Sequence, residues 1–280
     1  AVVAGSGPLL LPVAASLAHS GVRVSLVAEQ ATLARVASFG ASLWEHPSKI
    51  AQAAGYGAAL IGTRQRFGTW VTRADGDGRL EEVTLTDGRR TWSVACDLLC
   101  CGYAFVPNLE LPRLLGCDVA RGRVVADVLQ RTSVADVWCA GEPTGVAGEL
   151  AALVGGQIAG LSAAGAEPLA LAPALQRARD AWCRFADRLT DTFRPRDEVR
   201  TLADDATFVC RCEDVRRDAL DPSWGVRQAK LYTRITMGPC QGAVCGAACG
   251  SLFGWSAGTV RPPAVAALVG ALAEEPARPH

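Results

Sequence analysis

Cysteine is the residue type whose spacing in this chain most plainly points to chemistry. Cys210 and Cys212 are separated by a single Arg, and Cys240 and Cys245 by Gln-Gly-Ala-Val. Four thiolates in two close pairs match the donor set of a [2Fe-2S] cluster, each pair serving one iron. Gly238, Gly242 and Gly246 surround the second pair, and a residue without a side chain lets backbone N–H groups approach cluster sulfides. Two rival readings stand beside this one. Zinc also takes four thiolates, but its paired ligands usually leave about two to four residues between them, and Cys-Arg-Cys is tighter. Ordinary buried thiols are the other rival, because the chain holds eleven cysteines and free cysteine packs as a small hydrophobe. Cys249 falls one helical turn after Cys245 and is a fifth thiol, within reach of a ligand exchange.

The wider context of these cysteines carries a resemblance. Phe208-Val-Cys-Arg-Cys-Glu-Asp-Val215, Gln228-Ala-Lys-Leu-Tyr-Thr-Arg234 and Met237-Gly-Pro-Cys-Gln-Gly242 are similar to the bacterioferritin-associated-ferredoxin-like [2Fe-2S] domain. More narrowly, they resemble the version fused to flavoprotein subunits of opine oxidases, hydroxyproline dehydrogenases and cyanide-forming glycine dehydrogenase. The resemblance implies that Cys210, Cys212, Cys240 and Cys245 hold the cluster. Between Cys212 and Cys240 lie 27 residues, fewer than in many members, with Asp221-Pro-Ser-Trp-Gly225 replacing part of a helix. Lys230 and Arg234, four apart, either pack near the cluster and raise its potential or line a solvated helix face.

Elements able to position further cofactors lie upstream. Val2 and Val3 lead into Gly5-Ser-Gly-Pro-Leu-Leu10, helical composition follows from Leu11 to Ser20, and a second strand, Val22–Val27, ends near Glu29. Strand, glycine turn, helix, strand and acid is the order of a dinucleotide-binding βαβ unit. Gly5 and Gly7 would admit a pyrophosphate, and Glu29 would take a ribose hydroxyl, favouring NAD(H) over NADP(H). The third glycine of the fingerprint is replaced by Leu10, so fold and occupied site are separate expectations. In the resembling family this domain takes NAD(H), another adenine nucleotide or nothing.

Residues 31–60 read as helical with a break at Pro47. Three period-two runs, Thr69–Thr72, Leu80–Leu85 and Arg90–Val94, are parted by glycine turns and predict an antiparallel meander. Asp97–Gly102 reads as a buried strand. Thr132–Glu142 reads as a strand ending in Ala-Gly-Glu, followed by a helix from Leu150 to Ala164. Glutathione-reductase-like flavoproteins have a similar motif, and the resemblance implies flavin contacts at Gly141 and Glu142, whose physical basis is the positive end of the adjoining helix. A plain helix cap at Glu142 is the competing role. From Pro168 to Val199, apolar spacing at Leu175, Ala178, Trp182, Phe185 and Leu189 predicts an amphipathic helix packed on the cysteine domain.

The expected fold is therefore α/β, an incomplete glutathione-reductase-like Rossmann fold plus a small C-terminal helical [2Fe-2S] domain. The expected parts are 1–96 as a second, inserted dinucleotide domain with its meander, 97–166 as the end of an FAD domain, 167–206 as a helical linker, 207–258 as the cluster domain and 259–280 as an extended tail. The chain opens inside a first strand, and the single fingerprint takes the place of the second dinucleotide domain. A fragment is expected, one that binds FAD poorly and is inactive alone, from a parent that binds it.

The 28 basic and 28 acidic residues cancel, so charge recruits neither nucleic acid nor an anionic membrane. No apolar run is long enough to span a bilayer. Eleven cysteines without a disulfide framework suit a reducing compartment, so a cytoplasmic protein is expected. His19, His46 and His280 fall in no nucleophilic or metal motif. Cys96, Cys100, Cys101, Cys117, Cys139 and Cys183 form no Cys-x-x-Cys pair and are expected in the core. The resemblance implies a flavin and iron-sulfur subunit that relays electrons from an amino-acid, imino-acid or opine dehydrogenation. Its implied partners are a second flavoprotein subunit carrying the substrate site and a small ferredoxin-like subunit. The alternatives are a non-catalytic electron-shuttle or docking module and a stand-alone NADH:acceptor reductase.

Overall fold

The computed structural model describes residues 1–165 and 173–256, together with 258, 260, 262 and 270, so the expected tail lies almost wholly outside the described residues. The chain divides into two compact units, Ala1–Phe105 with Pro173–Leu202, and Val106–Ala172 with Ala203–His280.

The first unit opens with β1 (Val2–Gly5), α1 (Leu10–His19) and β2 (Leu26–Glu29). Next come α2 (Leu33–Ala41), a 3-10 turn at Ser42–Glu45, α3 (Pro47–Ala59) and β3 (Arg64–Phe67). Pro47 stands at the first turn of α3, where its missing N–H costs nothing. Strands β4 (Trp70–Asp75), β5 (Glu82–Thr86) and β6 (Thr91–Ala95) form the expected antiparallel meander, and β7 (Leu99–Gly102) returns to the first sheet. That sheet is wholly parallel in the order β3-β2-β1-β7, half of a doubly wound dinucleotide fold. Alternation along β1 explains its two covers. Val2 and Ala4 pack with Val71, Val83 and Leu85 of the meander, whereas Val3 packs with Leu10, Ala14 and Leu60 on the α1 side. Each fully buried aliphatic side chain here contributes roughly 1.5–3 kcal/mol. Strand β7 is only half-buried and Cys101 is exposed, contrary to the buried strand expected, because β7 is the sheet's edge.

In the second unit, α4 (Glu110–Leu114), β8 (Val119–Ala120) and β9 (Arg123–Val124) surround a small core of Leu109, Cys117 and Val124. The strand expected to end in Ala-Gly-Glu does not form. Arg131 and Trp138 make an isolated antiparallel bridge, and Cys139 N–H donates to Gln130 O at 2.9 Å, so the segment folds back on itself without joining a ladder. The helix after it does form, as α5 (Glu149–Ala163), burying Gly155, Ile158 and Ser162 at helical spacing.

Helix α6 (Pro173–Thr192) and the short α7 (Asp197–Arg200) belong to the first unit. Phe185 meets Phe39 at 5.7 Å and Trp182 packs at a tilt against His46 at 4.4 Å, while Arg184 and Arg188 reach Glu45 at 3.0 and 3.5 Å. The sequence places this apolar stripe on the cysteine domain; the contacts it makes here, to Phe39 and His46, lie within the first unit, to which the helix belongs. Cys183, on the outward side of α6, is exposed, which with Cys101 makes two exceptions to the expected core thiols.

The C-terminal elements are β10 (Phe208–Cys210), β11 (Val215–Arg216), α8 (Val226–Thr233) and α9 (Cys245–Phe253). Asp221–Gly225 is a turn, tied by Trp224 N–H to Asp221 O at 3.0 Å, and Trp255 donates its indole N–H to Pro222 O at 3.3 Å. Val209, Val215, Leu220, Ala229 and Ile235 close the core around Cys210, Cys245 and Cys249.

Candidate functional site

Local structure brings the two cysteine pairs together. Cys210 ends β10, Cys212 sits in the turn to β11, Cys240 lies in the loop before α9, and Cys245 begins that helix. The Cys212 and Cys240 thiols lie beside each other, as do those of Cys245 and Cys210. The contacts therefore run across the sequence pairs, joining the first loop to the second. Cys210 and Cys245 are buried, whereas Cys212 is exposed.

Backbone amides are turned towards the sulfurs. The Val244 N–H, with those of Gly242 and Cys245, points at the Cys240 sulfur and holds that thiol below its ordinary pKa, burial opposing. The Cys240 N–H likewise favours the Cys212 thiolate, but the adjacent Cys240 thiol, burial and Cys210 leave Cys212 raised. Burial first, then the adjacent Cys210, pushes Cys245 up to about 12, with the Thr236 N–H opposing. Cys249, one turn along α9 and fully buried, is pushed up to about 11 by burial and by Cys210.

The loop can take this path only with particular residues. A Cβ on Gly238 would lie 2.2 Å from the Cys212 Cβ, so the second loop reaches the first only because residue 238 has no side chain. Gly242 has φ +85°, and a Cβ there would come within 3.0 Å of the Thr236 Cβ. Arg234 caps α8 in the left-handed conformation and bonds Glu213 at 2.8 Å, tying the two cysteine loops together beside Cys212. Lys230 and Arg234 stand out in the sequence, but nothing there indicates Glu213 as a partner. Among the described residues, no three or more His, Cys, Asp or Glu side chains are disposed to hold a metal ion as they stand.

The glycine loop is built as the sequence suggests but is otherwise engaged. A Cβ on Gly5 would lie 1.8 Å from Gly102 O, which shows how closely β1 and β7 approach at its mouth. Glu29, at the end of β2, accepts from Gly7 N–H at 2.7 Å and Ala31 N–H at 2.8 Å, and more weakly shares the proton of the Ser6 hydroxyl at 3.3 Å. Burial nevertheless raises its pKa, these hydrogen bonds opposing.

Gly141 and Gly148 both have positive φ, +86° and +85°, which favours glycine. Gly148 is the N-cap of α5 and supplies no side-chain cap; Glu142 instead begins a short 3-10 turn, Glu142–Thr144. The capping role weighed for Glu142 is therefore not the one it plays at α5.

The sequence profile of the pyridine nucleotide-disulphide oxidoreductase family matches residues 1–152, more than half of the chain. The chain belongs to this family. Among curated relatives, the hydrogen cyanide synthase protein HcnB of Pseudomonas aeruginosa, one subunit of its enzyme, is 33% identical, over 87% of this chain and 58% of the relative. An opine oxidase subunit of Rhizobium meliloti is 29% identical, over 88% of this chain and 58% of the relative. The chain thus spans somewhat over half the length of these relatives. Among solved structures, L-proline dehydrogenase from P. horikoshii shares the fold with a TM-score of 0.55 at 20% identity, over 80% of this chain and 48% of that one. No helix among the described residues of this family member is long and apolar enough to cross a membrane.

Proposed function

We propose that the chain is part of an FAD-dependent oxidoreductase subunit that relays electrons through a [2Fe-2S] cluster held by Cys210, Cys212, Cys240 and Cys245. The observation that carries this reading is the pairing of thiols from two separate loops, with the amides of Gly242, Val244 and Cys245 aimed at a sulfur. Amide hydrogen bonds to thiolate sulfur are a protein's means of setting a cluster's potential, and a loop that needs Gly238 in order to reach Cys212 suits that use. When bound, the cluster would accept and release single electrons.

FAD would lie against Gly141 and Glu142, where the uncapped N-terminus of α5 offers backbone donors to an anionic cofactor. The likeness to HcnB and to the opine oxidase protein favours oxidation of an amino acid, imino acid or opine at its C–N bond. Both relatives are subunits, which supports a second subunit carrying the substrate site. This chain's residues would then hold the cofactors and tune them, without acid-base work of their own.

Anaerobic purification followed by absorption and EPR spectroscopy tests the cluster directly. About two irons and two sulfides per chain, with broad thiolate-to-iron absorption that bleaches on dithionite to a spin-half signal, are expected. Stoichiometric zinc without iron would sink the relay.

A further inference from the structure

A dinucleotide bound to a βαβ unit places its pyrophosphate on the N–H groups of the glycine turn and its ribose on the acid ending the second strand. Here both groups are already engaged within the first unit. Gly7 N–H donates to Glu29 Oε2, and the Ser6 hydroxyl donates to the carbonyl of Phe193 at 2.8 Å. Phe193 itself covers the turn, its Cβ and Cγ lying 3.8 Å from where a Gly7 Cβ would stand.

Neighbouring bonds hold this cover down. The Gln30 amide clasps the chain on both sides, donating to Arg194 O at 3.1 Å and accepting from Arg196 N–H at 3.0 Å. Arg35 donates to Asp191 O, Phe193 packs edge-on against Phe39 at 5.2 Å, and Arg196 lies over the Trp70 ring at 4.4 Å. As a result Gln30 is 1% exposed, and Ser6 and Glu29 are 7% exposed. As arranged, the turn does not accommodate a nucleotide.

We propose that Phe193–Arg196 is a built-in strap that competes with nucleotide for the Gly5–Gly7 turn, while Glu29 occupies the Gly7 amide in place of a ribose hydroxyl. A pyrophosphate entering at Gly7 has to displace a carboxylate from the amide it needs and then remain beside that carboxylate. A ribose reaching Glu29 has to take it from two buried backbone N–H groups. The strap follows directly from α6, so the docking of that helix on α2 and its opening of the turn are coupled. This inference rests on the glycine turn and is independent of the cysteine centre.

ADP-ribose, which carries the pyrophosphate and ribose without redox chemistry, is the probe, titrated calorimetrically into the whole chain. Apparent affinity scales with the open fraction, so Phe193→Ser combined with Gln30→Ala is expected to tighten binding by about tenfold or more. Equal affinity in wild type and variant overturns the strap, whether both bind or neither does. Circular dichroism checks that the double variant folds; should it not, Phe193→Ser alone takes its place. Hydrogen exchange on the wild type gives a second reading that needs no variant. At ADP-ribose concentrations that protect the turn, residues 191–197 must exchange faster; a protected turn beneath an unchanged strap refutes competition.

Discussion

The glycine turn of the first unit and the cysteine loops of the second are both short, glycine-bearing segments whose residue types advertise a cofactor. Their surroundings differ. At the turn, the polar groups are engaged by the chain itself: Glu29 takes the Gly7 amide and Phe193–Arg196 lies across the front. At the cysteine loops, the amides of Gly242, Val244 and Cys245 are spent on a sulfur, and Cys212 stays exposed at the surface. A motif establishes that a backbone can take up a binding shape. What its donors face in the folded chain establishes whether the shape is open for use.

The largest expected effect comes from breaking the cysteine side of this contrast. Cys245→Ser is expected to reduce iron from about two per chain to near none, because a hydroxyl is a poor ligand for a soft cluster site. Cys96→Ser, in the first unit, should leave iron unchanged, and equal losses in both variants would refute the assignment. Gly238→Ala is a subtler break. The added methyl meets the Cys212 Cβ at 2.2 Å, so the loops must separate, and iron should fall while the first unit keeps its stability.

On the glycine side, Gly5→Ala places a methyl 1.8 Å from Gly102 O at a residue with φ +144°. Strain and overpacking together are expected to cost about 2–5 kcal/mol, read as a lowered urea midpoint of the first unit. Gly7→Ala meets nothing nearer than 3.8 Å, so only its φ of +101° is penalised, at about 1–3 kcal/mol. Should the two substitutions cost the same, the close approach of β1 and β7 would not be what residue 5 serves.

Much of the scaffold was legible because it follows from local rules. The βαβ order, the meander with its glycine turns and the break at Pro47, where α3 starts, are each fixed by periodicity or by a turn residue. The cysteine loops were legible as positions, since ligand types and spacing are sequence properties. Three things were not. Glu29 lies where a ribose acid belongs, but its engagement by Gly7 and Ala31 depends on a backbone path that no pattern encodes. Phe193–Arg196 carries no motif, and its role comes from α6 docking on the first unit, a choice of partner that an amphipathic stripe leaves open. The Ala-Gly-Glu strand had suitable composition, but a strand is made by its neighbours, and Cys139 pairs back to Gln130 instead.

The smallest expected effect concerns the anchor of the strap. His46 is buried against Trp182 and Phe185, its Nε2 has no hydrogen-bond partner, and burial lowers its pKa from the ordinary 6.5. Glu45 and the carbonyl of Ala181 act to raise that pKa, while Arg184 and Arg188 join burial in lowering it. Well above pH 6.5 the ring is neutral folded and unfolded, and it imposes no penalty. As pH falls below 6.5, the unfolded chain takes up a proton that the folded ring resists, so stability declines towards the folded pKa and levels off beneath it. Glu29, raised from 4.5, acts with the opposite sign as pH falls through its folded pKa towards 4.5, because a folded carboxyl that protonates more readily gains stability on acidification. Glu45, lowered from 4.5 first by its Arg184 bond, loses its contribution only as pH drops below 4.5. The informative quantity is therefore the difference in urea midpoint between wild type and His46→Phe, which keeps a ring on Trp182 without the proton. That difference should shift in favour of the variant between about pH 7 and pH 5, and ADP-ribose should bind wild type more readily at the acid end as the α6 anchor loosens. A difference that does not change with pH would show that His46 pins α6 by ring contact alone and leaves the strap insensitive to protons.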